Sequence, residues 1–199
     1  MSIFYACYLA HTYRGDIINF VTTEGHSIWL KPAEPQYEDL QRLISRLSAG
    51  AGTPGFSPHI TLLGQLTQGV DQIFPRLETL AASMTSFQVS FSHIRMFDRY
   101  FRSVILCAYP NSQLEALYGK AKSLLQVNPE EDYQPHLSLL YSDMETAQKK
   151  QLLEGVVIGS PLKVTIHEMV LMHTAGTPNE WQEVATLPLI HPPLDMRLP

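Results

Sequence analysis

The chain has 199 residues, 45% of them hydrophobic and 17% charged, and a formal net charge of −5. That composition excludes a disordered protein, and the length suits one domain or two small lobes packed together. An acidic balance with no Lys/Arg run argues against long nucleic acid gripped through many phosphates, although a single phosphate needs only a few neutral donors.

Residues 1–25 show no periodicity and read as an N-terminal extension. The opening "MSIFYACYLA" is apolar but short and lacks a basic n-region, so no signal peptide is expected. No stretch approaches the roughly 20 apolar residues of a membrane span. "HSIWL" reads as a strand ending at Lys31-Pro32. From Pro35 onward Tyr37, Leu40, Ile44 and Leu47 fall at helical spacing, with Leu43 alongside. "SAGAGTPGFSP" is a loop on its Gly and Pro content, and "HITLLGQL" is a strand. Asp71 is the expected cap of a helix whose apolar stripe is Ile73, Phe74, Leu77, Leu80 and Ala81, with Pro75 in or just past its first turn. "SFQVSFSHIRMF" alternates over Phe87, Val89 and Phe91 as a long strand.

The second half repeats that order. "SVILCAY" is a strand, and Ser112 with Glu115 reads as a capping box for a helix carrying Leu114, Leu117, Tyr118, Ala121 and Leu125. "NPEEDYQP" is a loop and "HLSLLYS" a strand. A polar helix from Glu145 to Leu153 follows, then the strand "LKVTIHEMVLM", to which "WQEVATLPL" pairs after the turn "TAGTPNE". The tail 190–199 is too rich in Pro to be regular. Strand, helix, His-strand, helix, strand thus occurs twice, an arrangement suited to an α+β fold of antiparallel sheets with helices packed on them.

The two His-strands open almost identically, as "PHITLL" and "PHLSLL". An aliphatic–hydroxyl–aliphatic run follows a given His about 3% of the time, so two among eight His is a roughly one-in-fifty event. Residues i and i+2 of a strand share a face, so His59 lies beside Thr61, and His136 beside Ser138. The neighbours Ile60, Leu62, Leu137 and Leu139 point to a core. Two imidazoles can supply a base and an acid near neutral pH. Hydroxyls beside them can donate to phosphate oxygens as charge shifts. The set describes phosphodiester cleavage without a metal or other cofactor. No GxSxG elbow and no P-loop appears. His11, His26, His93, His167, His173 and His191 read as structural. Cys7 and Cys107 form no CxxC and no zinc spacing, so neither a metal site nor a disulfide framework is expected, and a reducing, cytoplasmic setting is the default.

These residues resemble the two-histidine (2H) phosphoesterase superfamily, whose signature is a pair of H-Φ-[ST]-Φ tetrads, here "HITL" and "HLSL". The likeness extends to the 2′,3′-cyclic nucleotide 3′-phosphodiesterases of fungi and plants, in the Trp-bearing strand "HSIWLKP" and in "HLSLLYSD". It implies one bilobal domain over 26–189, with two antiparallel sheets and outer helices related by a pseudo-twofold and a cleft between the lobes. It also implies that water opens a nucleoside 2′,3′-cyclic phosphate to leave a 2′-phosphate. ADP-ribose 1″,2″-cyclic phosphate from tRNA splicing belongs to the same substrate class. His59 and His136 would be the acid and base, in an order the sequence leaves open. Thr61 and Ser138 would bind phosphate oxygens. Tyr141 matches the family's "SLLY" tyrosine, but alternation sends it away from His136 unless the strand bends or ends there. Trp29 is a candidate platform for a base. Tyr100 and Phe101, at the start of the strand opening the second half, are further candidates of that kind. A monomer acting on a small cyclic nucleotide is expected, and some fungal relatives are linked to the Golgi. The alternatives are a non-catalytic module that binds nucleotides or RNA ends, and 2′–5′ RNA ligation or RNA 3′-end processing on the same fold.

Overall fold

The computed structural model describes residues 8–13, 16–129 and 132–190, with side chains from Val21 onward. Cys7, His191, most of the Pro-rich tail and the side chain of His11 therefore lie outside the described residues. Within the N-terminal extension, where the sequence pattern marks no element, β1 (Tyr8–Tyr13) and β2 (Asp16–Val21) pair antiparallel with each other. The main body then runs β3 (His26–Pro32), α1 (Gln36–Ala51), β4 (Ile60–Leu66), α2 (Val70–Ala82), β5 (Phe87–Met96) and a 3-10 turn (Tyr100–Arg102). It continues through β6 (Val104–Ala108), α3 (Ser112–Leu125), β7 (His136–Leu140), α4 (Thr146–Leu152), β8 (Leu162–His173) and β9 (Gln182–Pro188).

Both caps read from the sequence move. The helix α2 starts one residue after Gly69, its N-cap, and Asp71 sits in the first turn, where its charge still complements the helix dipole. Pro75 lies inside that helix. At α3 the N-cap is Asn111, not Ser112: its side-chain oxygen accepts from the Leu114 N–H at 3.0 Å. The same side chain donates to the Gln88 carbonyl of β5 at 2.8 Å, an attachment a serine at the next position is too short to make. Asn111→Ala is expected to cost about 1 kcal/mol in urea unfolding, and Ser112→Ala less than about 0.5 kcal/mol. At α4 a capping box does form, between Glu145 and Gln148.

Six strands close on themselves in the order β3-β4-β7-β6-β5-β8, with β8 returning to β3, and β9 lies on β8 outside the ring. Every ladder is antiparallel. The pseudo-twofold operates by exchange. The third strand of each half pairs with the first strand of the other, β5 with β6 and β8 with β3. Two three-stranded units result, β4-β3-β8 and β7-β6-β5. They join along β5–β8, from Phe87↔Ile166 to Phe91↔Leu162, and on the far side at one residue pair, Ile60↔Leu137. The helices exchange as well: α1 packs on β7 and α3 on β4. Ile60, Leu62, Leu137 and Leu139 enter one continuous core with Leu30, Ile44, Leu47, Leu106 and Leu114. Apolar burial on this scale is the main stabilising term, about 25 cal/mol per Å².

Both His-strands carry the same irregularity. Along β3–β4 the register steps from Ile28↔Leu63 to Trp29↔Thr61, so Leu62 is extra. Along β6–β7 it steps from Val104↔Leu140 to Ile105↔Ser138, so Leu139 is extra. Each four-residue motif therefore ends on a β-bulge, which bends its strand and re-aims the side chains beyond it.

Candidate active site

The Ile60↔Leu137 pair fixes how the two motifs meet. Continued one residue each way, that register sets His59 opposite Ser138 and Thr61 opposite His136. Ile60 and Leu137 are fully buried, so alternation turns the two histidines and two hydroxyl residues to the other side of the seam.

The repeated proline has a local consequence. Nδ1 of His59 lies 2.6 Å from the Ser57 carbonyl oxygen, and Nδ1 of His136 lies 2.8 Å from that of Gln134. In both, the carbonyl belongs to the residue two before the His, across Pro58 or Pro135, whose ring fixes the intervening φ. A carbonyl only accepts, so Nδ1 carries the hydrogen in each ring and the lone pair of the neutral imidazole sits on Nε2. The two halves thus present the same tautomer, with the lone pair on Nε2.

The surroundings break the symmetry. His59 is 4% exposed and lies flat on the Trp29 indole, with ring centroids 3.6 Å apart and planes 5° apart. Phe56 meets it edge-on at 6.2 Å. His136 is half-buried and feels the charge of Arg102. Burial pushes both imidazoles down to about 4, against the opposing carbonyl hydrogen bonds. A smaller lowering comes from His136 for His59 and from Arg102 for His136.

Ser138 is buried, and its hydroxyl donates to the Phe101 carbonyl at 3.3 Å; Thr61 is half-buried on β4. Tyr141 joins this side of the sheet, because the bulge at Leu139 and the end of β7 at Leu140 supply the bend that alternation lacked. Its ring stacks on Phe56 at 3.8 Å, and burial holds its phenol well above the usual range despite its interaction with Ser138. Tyr100 and Phe101 do not start a strand. They occupy the 3-10 turn before β6, and Phe101 meets Tyr141 edge-on at 5.3 Å. Trp29 is not an open platform for a base. It is 5% exposed, and its cleft-side face is taken by His59. The rest of it lines a pocket of about 280 Å³ with Gln41, Phe56, Met172, Pro178 and Trp181. A larger hollow of about 470 Å³ between α2 and α3, lined by Gln68, Asp71, Arg76 and Gln126 among others, holds no imidazole and no residue of either motif.

Phe56, Trp181 and Arg102 are the neighbours that sequence reasoning passes over. Phe56 stands in a Gly/Pro-rich connection, where no periodicity marks a face, and Trp181, read as the first residue of the last strand, lies just before β9. An aromatic isolated in such a loop two or three residues before a motif, as Phe56 is before His59, is the available signal. Among the described residues no cluster of three or more His, Cys, Asp or Glu is placed to hold a metal ion, and no helix is long and apolar enough to cross a membrane.

Residues 24–189 match a family described as "Cyclic phosphodiesterase-like protein". The chain is 22% identical over 134 residues to a cyclic phosphodiesterase of Arabidopsis thaliana, covering 67% of this chain and 74% of that protein. It is 28% identical over 139 residues to a 2′,3′-cyclic-nucleotide 3′-phosphodiesterase of Kluyveromyces lactis, covering 60% of this chain and 65% of that one. The fold is similar to that of LigT from Escherichia coli, crystallised with 3′-AMP, at a TM-score of 0.55 and 15% identity over 84% of this chain and 98% of LigT.

Proposed function

The chain belongs to the cyclic phosphodiesterase-like protein family, and from that premise we propose that it hydrolyses nucleoside 2′,3′-cyclic phosphates to nucleoside 2′-phosphates. One observation carries the reading: two imidazoles of the same tautomer stand at a one-pair seam, each ring nitrogen Nδ1 engaged and each lone pair therefore on Nε2, with a hydroxyl beside each. In this reading a cyclic phosphate lies across the seam. Nε2 of His136 takes a proton from water as its oxygen bonds to phosphorus. The bond from phosphorus to the 3′ oxygen breaks, and Nε2–H of His59 gives that oxygen its proton. The hydroxyls of Thr61 and Ser138 donate to the non-bridging oxygens, where negative charge grows. A hydroxyl rotates freely enough for Ser138 to exchange the Phe101 carbonyl for phosphate.

The asymmetry supports that division of roles. An aromatic face stabilises a cation, so the Trp29 indole offsets part of the burial that disfavours the imidazolium of His59, the acid. The Arg102 charge favours neutral His136, the base. Tyr100 and Phe101, half-buried at the same seam, supply apolar surface for a nucleoside, with the buried Phe56 and Tyr141 packed behind them. ADP-ribose 1″,2″-cyclic phosphate carries the same strained diester and is proposed as a second substrate.

The test is a product assay with 2′,3′-cyclic AMP in EDTA, resolving 2′- from 3′-AMP. The 2′-phosphate is expected. A 3′-phosphate would keep a phosphodiesterase but reverse the bond that is cut. Tight binding without conversion would favour a binding module. Loss of activity in EDTA alone would overturn the metal-free mechanism.

A further inference from the structure

Lys149 is the one Lys, Arg, Asp or Glu that is buried among the described residues, at 1% exposure on α4. An ammonium out of water is costly unless it is well partnered. Here Nζ donates to the Phe97 carbonyl at 2.8 Å and lies 3.6 Å from a carboxylate oxygen of Asp98, whose side chain is 89% exposed. The volume alone could be filled by methionine or leucine without that cost. What only a long donor can do from α4 is hold the Phe97 carbonyl.

Phe97 begins the connection from β5 to β6. That connection closes on itself where the Phe97 N–H donates to the Ser103 carbonyl at 3.0 Å. It is tied to the end of β7 by the Ser142 N–H, which donates to the Tyr100 carbonyl at 3.2 Å, and by the Ser103 and Ser142 hydroxyls, 3.0 Å apart. Between these ties it carries three groups to the seam. The Phe101 carbonyl receives Ser138, the Phe101 ring lies 5.8 Å from Trp181, and the charge of Arg102 acts on His136.

We propose that Lys149 is a positioning residue: by holding the Phe97 carbonyl it sets the 97–103 connection as the wall of the cleft beside His136, a role that rests on the phosphodiesterase reading above. It touches no substrate and acts through Phe101 and Arg102. Lys149→Met keeps the packing and removes the donor. The expected result for 2′,3′-cyclic AMP is a KM raised about five- to twentyfold with kcat within about threefold, because the Phe101 wall is displaced while both imidazoles keep their Ser57 and Gln134 anchors and Arg102 is only a lesser influence on His136. Amide exchange at residues 98–103 should accelerate about tenfold or more while the amides of β3, β5 and β8 keep their rates.

Lys149→Arg, which retains a donor, should recover most of the KM. An unchanged KM, or exchange that accelerates throughout the sheet, overturns the proposal. If Lys149→Met does not fold, Lys149→Leu, which also lacks a donor, is read by the same criteria; if neither folds, the lysine is only structural and the proposal falls. An unmutated protein that fails to turn over the cyclic nucleotide sinks the phosphodiesterase reading instead, and the exchange rates still decide whether Lys149 holds the connection.

Discussion

His136→Ala is expected to lower kcat on 2′,3′-cyclic AMP about 10²- to 10⁴-fold while leaving a cooperative unfolding transition. The loss is large because water attack on a diester anion needs a base at the attacking oxygen, and no other free Nε2 stands on that side of the seam in the proposed mechanism. The fold should survive because His136 is half-buried at the start of β7, and its ring holds only the Gln134 carbonyl. His59→Ala should cost as much activity and more stability, since it also uncovers the Trp29 face and leaves a cavity beside Phe56. Normal turnover in either variant would end the two-histidine mechanism.

The second large effect is on pH. Both rings are pushed down to about 4, first by burial, so the neutral form of each dominates in the free enzyme at pH 7. The productive enzyme carries one proton on the pair. Raising the pH above the lowered values removes that proton, so kcat/KM should fall about tenfold per unit between about pH 6 and 8. A bound phosphodiester anion favours the imidazolium, so the optimum of kcat should lie at higher pH than that of kcat/KM. The two apparent values belong to the coupled pair and not to either ring. A kcat/KM that is flat or rises over this range would contradict the assignment.

The parts of this site that were legible in the sequence are the local ones. Alternation along "HITL" and "HLSL" assigns the faces of His59, Thr61, His136 and Ser138, because a half-buried strand repeats every two residues whatever it pairs with. The apolar stripes of α1, α2 and α3 are visible for the same reason. What stayed hidden depends on partners distant in the chain. The exchange of β5 and β8 between halves leaves no mark in either strand. The flat stack of His59 on Trp29 needs the β3–β4 register, including its bulge, before it can be seen. The Asn111 cap was masked by an equally good candidate next to it, and the choice is made by the Gln88 carbonyl across the fold. Tyr100 and Phe101 look like the start of a strand because aromatics favour strands, yet ties from Ser103 and Ser142 curl them into a turn.

The two strand units touch along a spine, β5–β8, and at a single opposing pair, Ile60 and Leu137. Within the sheet that geometry is a book with one clasp, while α1 on β7 and α3 on β4 bridge the same two pages. Bending at the spine should change little in either page, but would be read at full lever arm where His59 and His136 stand. In the proposed mechanism the distance a proton crosses in each direction then depends on the least redundant contact in the sheet. A methyl group lost from either member of that pair, each fully buried and the chain neighbour of a motif histidine, should cost about 1 kcal/mol of stability and also shift the spacing of the two imidazoles.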